Sequence, residues 1–70
     1  MFVLNESYRR FNYINLDKVL VIEPSADGND TLIYFEGMPL EDAIYSNYDM
    51  IQWGEKLKAN GYKSKGEDNA

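Results

Sequence analysis

The sequence predicts an α+β fold, in which a small antiparallel sheet of about four strands is packed by one C-terminal helix. Two β-rich runs, at residues 19–22 and 31–35, flank a segment dense in turn formers, which is typical of a hairpin with a long loop. Apolar residues then recur at helical spacing over roughly residues 47–60. A chain of 70 residues forms one domain at most, which we expect over residues 1–62.

The N-terminal residues favour a first hairpin. The apolar run 2–4 ends at Asn5, and residues 11–14 mix bulky and polar side chains with good β propensity. We expect the turn near residues 5–9, with Arg9 and Arg10 as solvated charges beside it. Residues 15–18 (Asn-Leu-Asp-Lys) predict a tight turn or a single helical turn, since Asn and Asp bond their own following backbone.

The run 19–22 (Val-Leu-Val-Ile) has no polar residue between its apolar ones. Successive side chains of a strand point to opposite faces, so both faces of this strand need cover. One helix covers only one face. Either the N-terminal strands fold over the other face or a partner chain does, and the second possibility suggests a homodimer.

The segment after the second β-rich run predicts a turn and then a short edge strand. Gly37, Met38 and Pro39 form the turn, and residues 40–45 form the strand, with Glu41 and Asp42 discouraging aggregation at the sheet edge. Aspartates also surround Gly28, but they lack the ligand spacing of a calcium-binding loop, so a turn explains them better.

The closing helix is predicted from its apolar side and its end signals. Met50, Ile51, Trp53, Gly54 and Leu57 form that side, and Gly54 is expected to allow close approach to the sheet. Ser46 or Asn47 is the expected N-cap, with Asp49 near the positive end of the helix dipole. Asn60 and Gly61 supply the stop. Residues 63–70 contain no large apolar side chain and are expected to be a disordered tail.

Composition argues against catalysis. The chain has no Cys and no His, which removes disulfides, thiolate metal ligands and the usual general base. No Gly-rich phosphate loop or nucleophile elbow is present. We therefore expect no enzyme activity, no metal and no cofactor. The absence of a signal-peptide pattern or a long apolar run favours a cytoplasmic protein without membrane contact.

The charges are unevenly distributed. Residues 19–55 contain eight Asp and Glu residues and no Lys or Arg. Such a segment repels phosphates, so direct binding to nucleic acid is not expected, whereas the basic surface of another protein would be attracted. The alternative is a solvated acidic face that only keeps the protein soluble. Aromatic residues within the segment favour an interface core. The predicted partner-binding residues are Asp27, Asp30, Glu36, Glu41, Asp42, Tyr34, Tyr45 and Tyr48.

Two resemblances accompany this interpretation. The order of the pieces Leu4-Asn5, Val21-Ile22-Glu23-Pro24 and Thr31-Leu32-Ile33 resembles the small flagellar-operon proteins of the FlbD family, loosely over residues 1–58. In size and charge, the chain is also similar to small acidic phage inhibitors of the anti-CRISPR type. The second likeness implies a phage-encoded inhibitor that imitates nucleic acid toward a basic host protein, and the first implies a small homodimeric structural or regulatory protein.

Overall fold

A computed structural model describes residues 1–62, so the predicted tail lies outside the described residues. Among these residues, five strands and one helix follow one another. They are β1 (Phe2–Ser7), β2 (Arg10–Asn15), β3 (Val19–Pro24), β4 (Thr31–Phe35), β5 (Ile44–Ser46) and α1 (Met50–Ala59). Two short 3₁₀ turns, Leu16–Lys18 and Leu40–Asp42, lie between them. The α+β class and the C-terminal helix are confirmed, as is the helical turn after β2.

The strands form two antiparallel sheets rather than one, with β1 paired to β2 and the order β3-β4-β5 in the second sheet. Only isolated hydrogen bonds join β1 to the segment around β5, such as Asn47 N–H donating to the Glu6 carbonyl at 2.7 Å. Within residues 1–62, the structure therefore has five strands in two sheets, where the sequence predicts about four strands in one. Which strand edges meet depends on tertiary contacts that a strand pattern does not contain.

The N-terminal hairpin is longer than its apolar run predicts. Its turn consists of Tyr8 and Arg9 alone, and both have positive φ, 47° and 68°. This is the geometry of a tight I′ turn, which normally favours Asn and Gly. The strand also continues through Asn5, which is fully buried and donates to Asn12 Oδ1 at 3.1 Å. Polar residues therefore extend this strand through side-chain hydrogen bonds.

The predicted edge strand over residues 40–45 is mostly wrong. Leu40–Asp42 is a 3₁₀ turn that follows the extended residue Pro39, and Asp42 N–H donates to the Pro39 carbonyl at 3.0 Å. Only Ile44–Ser46 pairs with β4. Glu41 and Asp42 therefore lie on an exposed turn beside the sheet and do not guard its edge.

Helix α1 begins later than its predicted caps. Asp49 is the N-cap, and its side chain and that of Gln52 form a reciprocal capping box, with contacts of 2.8 and 2.9 Å. The apolar side is also narrower than predicted, since Trp53 is buried and Ile51 is 75% exposed. A Cβ added at Gly54 would have no atom within 4 Å, so this glycine does not serve a close approach. The predicted stop at Asn60 and Gly61 is confirmed.

The core lies where the two sheets and the helix meet. Its buried apolar residues are Val3, Ile14, Leu16, Ile33 and Trp53. Ser46 and Thr31 are buried with them, and Ser46 Oγ accepts a hydrogen bond from Trp53 Nε1 at 2.9 Å. Several large aromatic side chains are outside this core. Phe2, Tyr8, Phe11 and Tyr13 are 64–70% exposed on the hairpin.

The ten-residue helix α1 is too short to cross a bilayer, and no other helix among residues 1–62 could do so.

Candidate protein-binding surface

The second sheet has one covered and one open face. Alternation along β4 turns Thr31 and Ile33 into the core, so Leu32 and Tyr34 point to the other side. In register with them, Val21 lies opposite Tyr34, and Tyr45 lies opposite Leu32. We call this side the outer face. Its members are Val21, Glu23, Leu32, Tyr34 and Tyr45, with Leu20 and Leu40 beside them.

The outer face keeps apolar side chains in solvent. Val21 is 47% exposed, and Leu20 and Leu40 are 65% and 74% exposed. A register shift between Val19 and Val21 leaves Leu20 without a direct partner on β4. This bulge explains why Leu20 and Val21 are both exposed, although simple alternation would bury one of them. Among residues 1–62, the N-terminal hairpin contacts this face through Tyr8 at one end and leaves Leu20 and Val21 exposed, so the N-terminal strands do not supply the second cover for β3.

Tyr34 and Glu23 form the centre of the outer face. The Tyr34 hydroxyl donates to Glu23 Oε1 at 2.6 Å, and this hydrogen bond raises the pKa of Tyr34 above its ordinary value. The bond fixes both side chains across neighbouring strands. Glu23 was not among the predicted site residues, yet its position one residue after the apolar run, on the same side as Val21, is readable from strand alternation.

At one end of the face, Asp30 and two tyrosines form a connected group. The Tyr45 hydroxyl donates a short hydrogen bond to Asp30 Oδ2, which is the main reason why the pKa of Tyr45 is raised. The Tyr8 ring stacks on Tyr45, with ring centroids 4.8 Å apart. Tyr8 reaches this position because its N–H donates to Asn47 Oδ1 at 2.7 Å. The sequence did not indicate Tyr8 as a site residue, since it lies in a turn of the other sheet.

Asp27 lies in the loop at the same end and is ordered by its neighbours. Its Oδ1 accepts from Ser25 Oγ at 2.6 Å and from Asn29 N–H at 2.9 Å, and these hydrogen bonds lower the pKa of Asp27. Gly28 has a φ of 79° within this turn. Among residues 1–62, no group of three or more acidic side chains lies close enough to hold a metal ion. The loop is a turn, as its sequence predicts.

The other end of the face carries Glu36, Glu41 and Asp42, all of them exposed. Glu36 follows β4 directly, and its N–H donates to the Lys18 carbonyl at 2.7 Å. Within the described part of the chain, none of these three carboxylates has a hydrogen-bond or ion-pair partner. Asp30 and Glu36 are six residues apart along an extended segment, so the two acidic ends lie roughly 20 Å apart.

Tyr48 is not on the outer face. Its ring meets Trp53 edge-on at 5.8 Å, and Lys56 Nζ lies 4.4 Å from the ring centroid. Its carbonyl accepts from Thr31 Oγ1 at 3.0 Å. Tyr48 therefore connects α1 to the inner side of the sheet. Seven of the eight predicted residues lie on or beside the outer face, and Tyr48 lies apart from them.

Comparison with known proteins adds nothing to this geometry: no family model, no curated protein and no solved structure matches the chain. The two resemblances given above therefore stay predictions.

Proposed function

We propose that this chain is a non-enzymatic protein-binding module that presents its outer face to a basic surface of another protein. The observation that carries the proposal is the composition of this face. Exposed Val21, Leu20 and Leu40 lie between two groups of carboxylates, and residues 19–55 contain no Lys or Arg. Interfaces commonly combine an apolar and aromatic centre with a charged rim.

The two acidic ends differ in how they would contribute. Asp27 and Asp30 are held by hydrogen bonds, so they offer carboxylates at fixed positions. Glu41 and Asp42 have no partner within residues 1–62 and gain most from a cation supplied by another protein. Charges at the rim of an interface mainly accelerate association and make it dependent on salt.

In its narrower form, the proposal is that the partner handles nucleic acid. Carboxylates at two positions roughly 20 Å apart along an extended strand would then occupy part of the groove in which the partner holds phosphates. The chain would act as an inhibitor by excluding the nucleic acid. This form makes a separate prediction, namely that DNA or RNA displaces the chain from its partner.

The test uses a pair of variants matched in charge. Glu41→Gln with Asp42→Asn removes two carboxylates from the rim, and Glu6→Gln with Glu55→Gln removes two elsewhere, so each variant changes the net charge of −5 by +2. All four side chains are without a hydrogen-bond partner among residues 1–62, which spares the fold. Each protein is immobilised and exposed to nuclease-treated bacterial lysate at low and high salt.

We expect the wild type and the Glu6/Glu55 variant to retain the same basic protein at low salt. The Glu41/Asp42 variant should retain about two- to thirtyfold less, since exposed charge pairs contribute roughly 0.2–1 kcal/mol each. Equal retention by the two variants would contradict the use of the outer face. If added DNA fails to displace the retained protein, this result contradicts only the proposal that the partner handles nucleic acid, and the proposed binding through the outer face is unaffected.

A further inference from the structure

The tight turn of the N-terminal hairpin determines which backbone groups of β2 face outward. With a two-residue turn, Ser7 and Arg10 form a hydrogen-bonded pair, and such pairs then alternate with non-bonded ones. Phe11 and Tyr13 fall in the non-bonded class, so their N–H and C=O groups point away from β1. Two contacts agree with this assignment. Leu16 N–H bonds the Met1 carbonyl across the hairpin, and the Glu6 carbonyl points outward to Asn47.

This outer edge of β2 is open. Within residues 1–62, the outward backbone groups of Phe11 and Tyr13 have no hydrogen-bond partner. After Arg10 at its first position, β2 contains no charge and no proline, and the register with β1 has no bulge. Proteins usually protect an exposed strand edge with one of these devices. An edge without them is available to another strand.

We propose that β2 pairs antiparallel with β2 of a second copy of this chain, about a two-fold axis at Tyr13. The register follows from the outward groups. Centring on Tyr13 matches Phe11 with Asn15 of the other copy and Tyr13 with its own counterpart, which gives three hydrogen-bonded pairs. Centring on Asn12 gives only two within the strand. The two hairpins then form one four-stranded sheet.

Charge complementarity favours a second copy over an unrelated strand. In this register, Arg9, which precedes β2 in one copy, lies opposite Asp17, which follows β2 in the other copy. The two-fold axis repeats this Arg9–Asp17 pair at the opposite end of the two strands. Arg9 is exposed, and the Asp17 side chain is 63% exposed while holding the N-terminal ammonium at 2.8 Å. A parallel arrangement would place like charges together instead. The charges at the two ends of β2 are therefore complementary to those of a second, antiparallel copy.

The contact is small, which sets its strength. One strand edge and its side chains cover less than the roughly 800 Å² per partner of a standard stable interface. We therefore expect a dimer that dissociates in the micromolar range. The β2 edge is in the β1-β2 sheet, whereas the outer face is on the β3-β4-β5 sheet. A result that contradicts this inference therefore leaves the proposed function untouched, and the reverse also holds.

Cysteine substitution tests the register, because the natural chain has no Cys. In the proposed dimer, the two Cα atoms of residue 13 lie about 5.5 Å apart, within the range of a disulfide. The matched control is Phe11→Cys, which is on the same strand, faces the same side and is similarly exposed, at 64% against 70% for Tyr13. Its two copies would lie roughly 13 Å apart. Under mild oxidation, Tyr13→Cys should form disulfide-linked dimers at least tenfold faster than Phe11→Cys, and an equal or reversed order overturns the pairing.

A second measurement separates edge pairing from association through the aromatic face. Tyr13→Lys places a charge at the axis, whereas Phe2→Lys places one on the same face but on β1, at a side chain that is equally exposed, 68% against 70%. Sedimentation equilibrium of the wild type and of Phe2→Lys should show concentration-dependent dimers, and Tyr13→Lys should be monomeric with an unchanged circular dichroism spectrum. A wild type that stays monomeric at about 1 mM, or equal losses in the two variants, overturns the proposal.

Discussion

Two tyrosines of the outer face donate to carboxylates, and this determines how they titrate. Tyr45 donates to Asp30 and Tyr34 to Glu23, so ionising either hydroxyl removes the donor and places a second negative charge beside the first. The pKa of each tyrosine is therefore raised. The sequence identified both tyrosines and Asp30, but not which carboxylate each would meet. Such pairings depend on strand register, which a one-residue bulge in β3 shifts.

Asp30→Asn should lower the pKa of Tyr45 toward the ordinary tyrosine value, because the amide is a weaker hydrogen-bond acceptor than the carboxylate and carries no charge that opposes the phenolate. Because the folded-state pKa of Tyr45 is raised, its contribution to stability is complete below the unfolded value of about 10. It is then lost as pH rises through the folded value. Carbon-13 NMR of the tyrosine Cζ atoms, followed against pH, measures the change directly.

Glu23→Gln is the control for this titration. It should lower the pKa of Tyr34 and leave the pKa of Tyr45 as it is in the wild type, since the two hydroxyls bond different carboxylates. If Asp30→Asn lowered the pKa of both tyrosines equally, or of neither, the hydrogen bond to Asp30 would not be the cause of the raised pKa of Tyr45.

At the scale of elements, a helix and a loop were easier to predict than strand ends. Helix α1 was predictable because its apolar spacing and Gly stop lie within one segment, although its N-cap is Asp49 and not the expected Ser46 or Asn47. The turn at Tyr8 and Arg9 was not, since positive φ is unfavourable for both residues. It forms because tertiary contacts compensate, namely the stacking of Tyr8 on Tyr45 and the hydrogen bond from Tyr8 N–H to Asn47.

Gly54→Ala should stabilise the protein by about 1 kcal/mol, because alanine has the higher helix propensity and an added Cβ meets no atom within 4 Å. The matched control is Gly61→Ala, where the space is equally open but φ is 92°. There, alanine should destabilise by about 1 kcal/mol, since L-residues avoid this conformation. Urea unfolding of both variants gives the free energies. A loss of stability in Gly54→Ala would mean that the glycine serves a packing role after all.

At the scale of the whole molecule, the acidic segment folds into a different surface than its sequence suggests. The sequence shows one stretch of negative charge, whereas the structure places five of its eight carboxylates at two ends of a sheet face, with Glu23 and apolar residues between them, and the other two at helix α1. It also places large aromatic side chains outside and Asn5, Thr31 and Ser46 fully inside. Composition cannot predict which aromatic side chains are exposed and which polar ones are buried, because each buried polar residue depends on contacts with other segments of the chain. Trp53 with Ser46 and Thr31 with Tyr48 are two of these.

Asn47 joins the two sheets through both its side chain and its backbone. Its Oδ1 accepts from Tyr8 N–H, and its N–H donates to the Glu6 carbonyl, each at 2.7 Å. Asn47→Ala keeps the backbone bond and removes the side-chain bond, which should cost about 1 kcal/mol. Because the lost bond holds only the hairpin turn, amides of β1 and β2 should exchange with solvent about fivefold faster, while those of β4 change little.

Asn29→Ala is the control for this change, since Asn29 is exposed and its side chain has no hydrogen-bond partner within residues 1–62. It should leave exchange unchanged in both sheets. Hydrogen exchange followed by NMR separates the two possible outcomes for Asn47→Ala. Faster exchange confined to the hairpin means that the sheets open separately. Equal acceleration in β1, β2 and β4 would instead show a single cooperative unit, and the weak backbone connection between the sheets would then not limit their coupling.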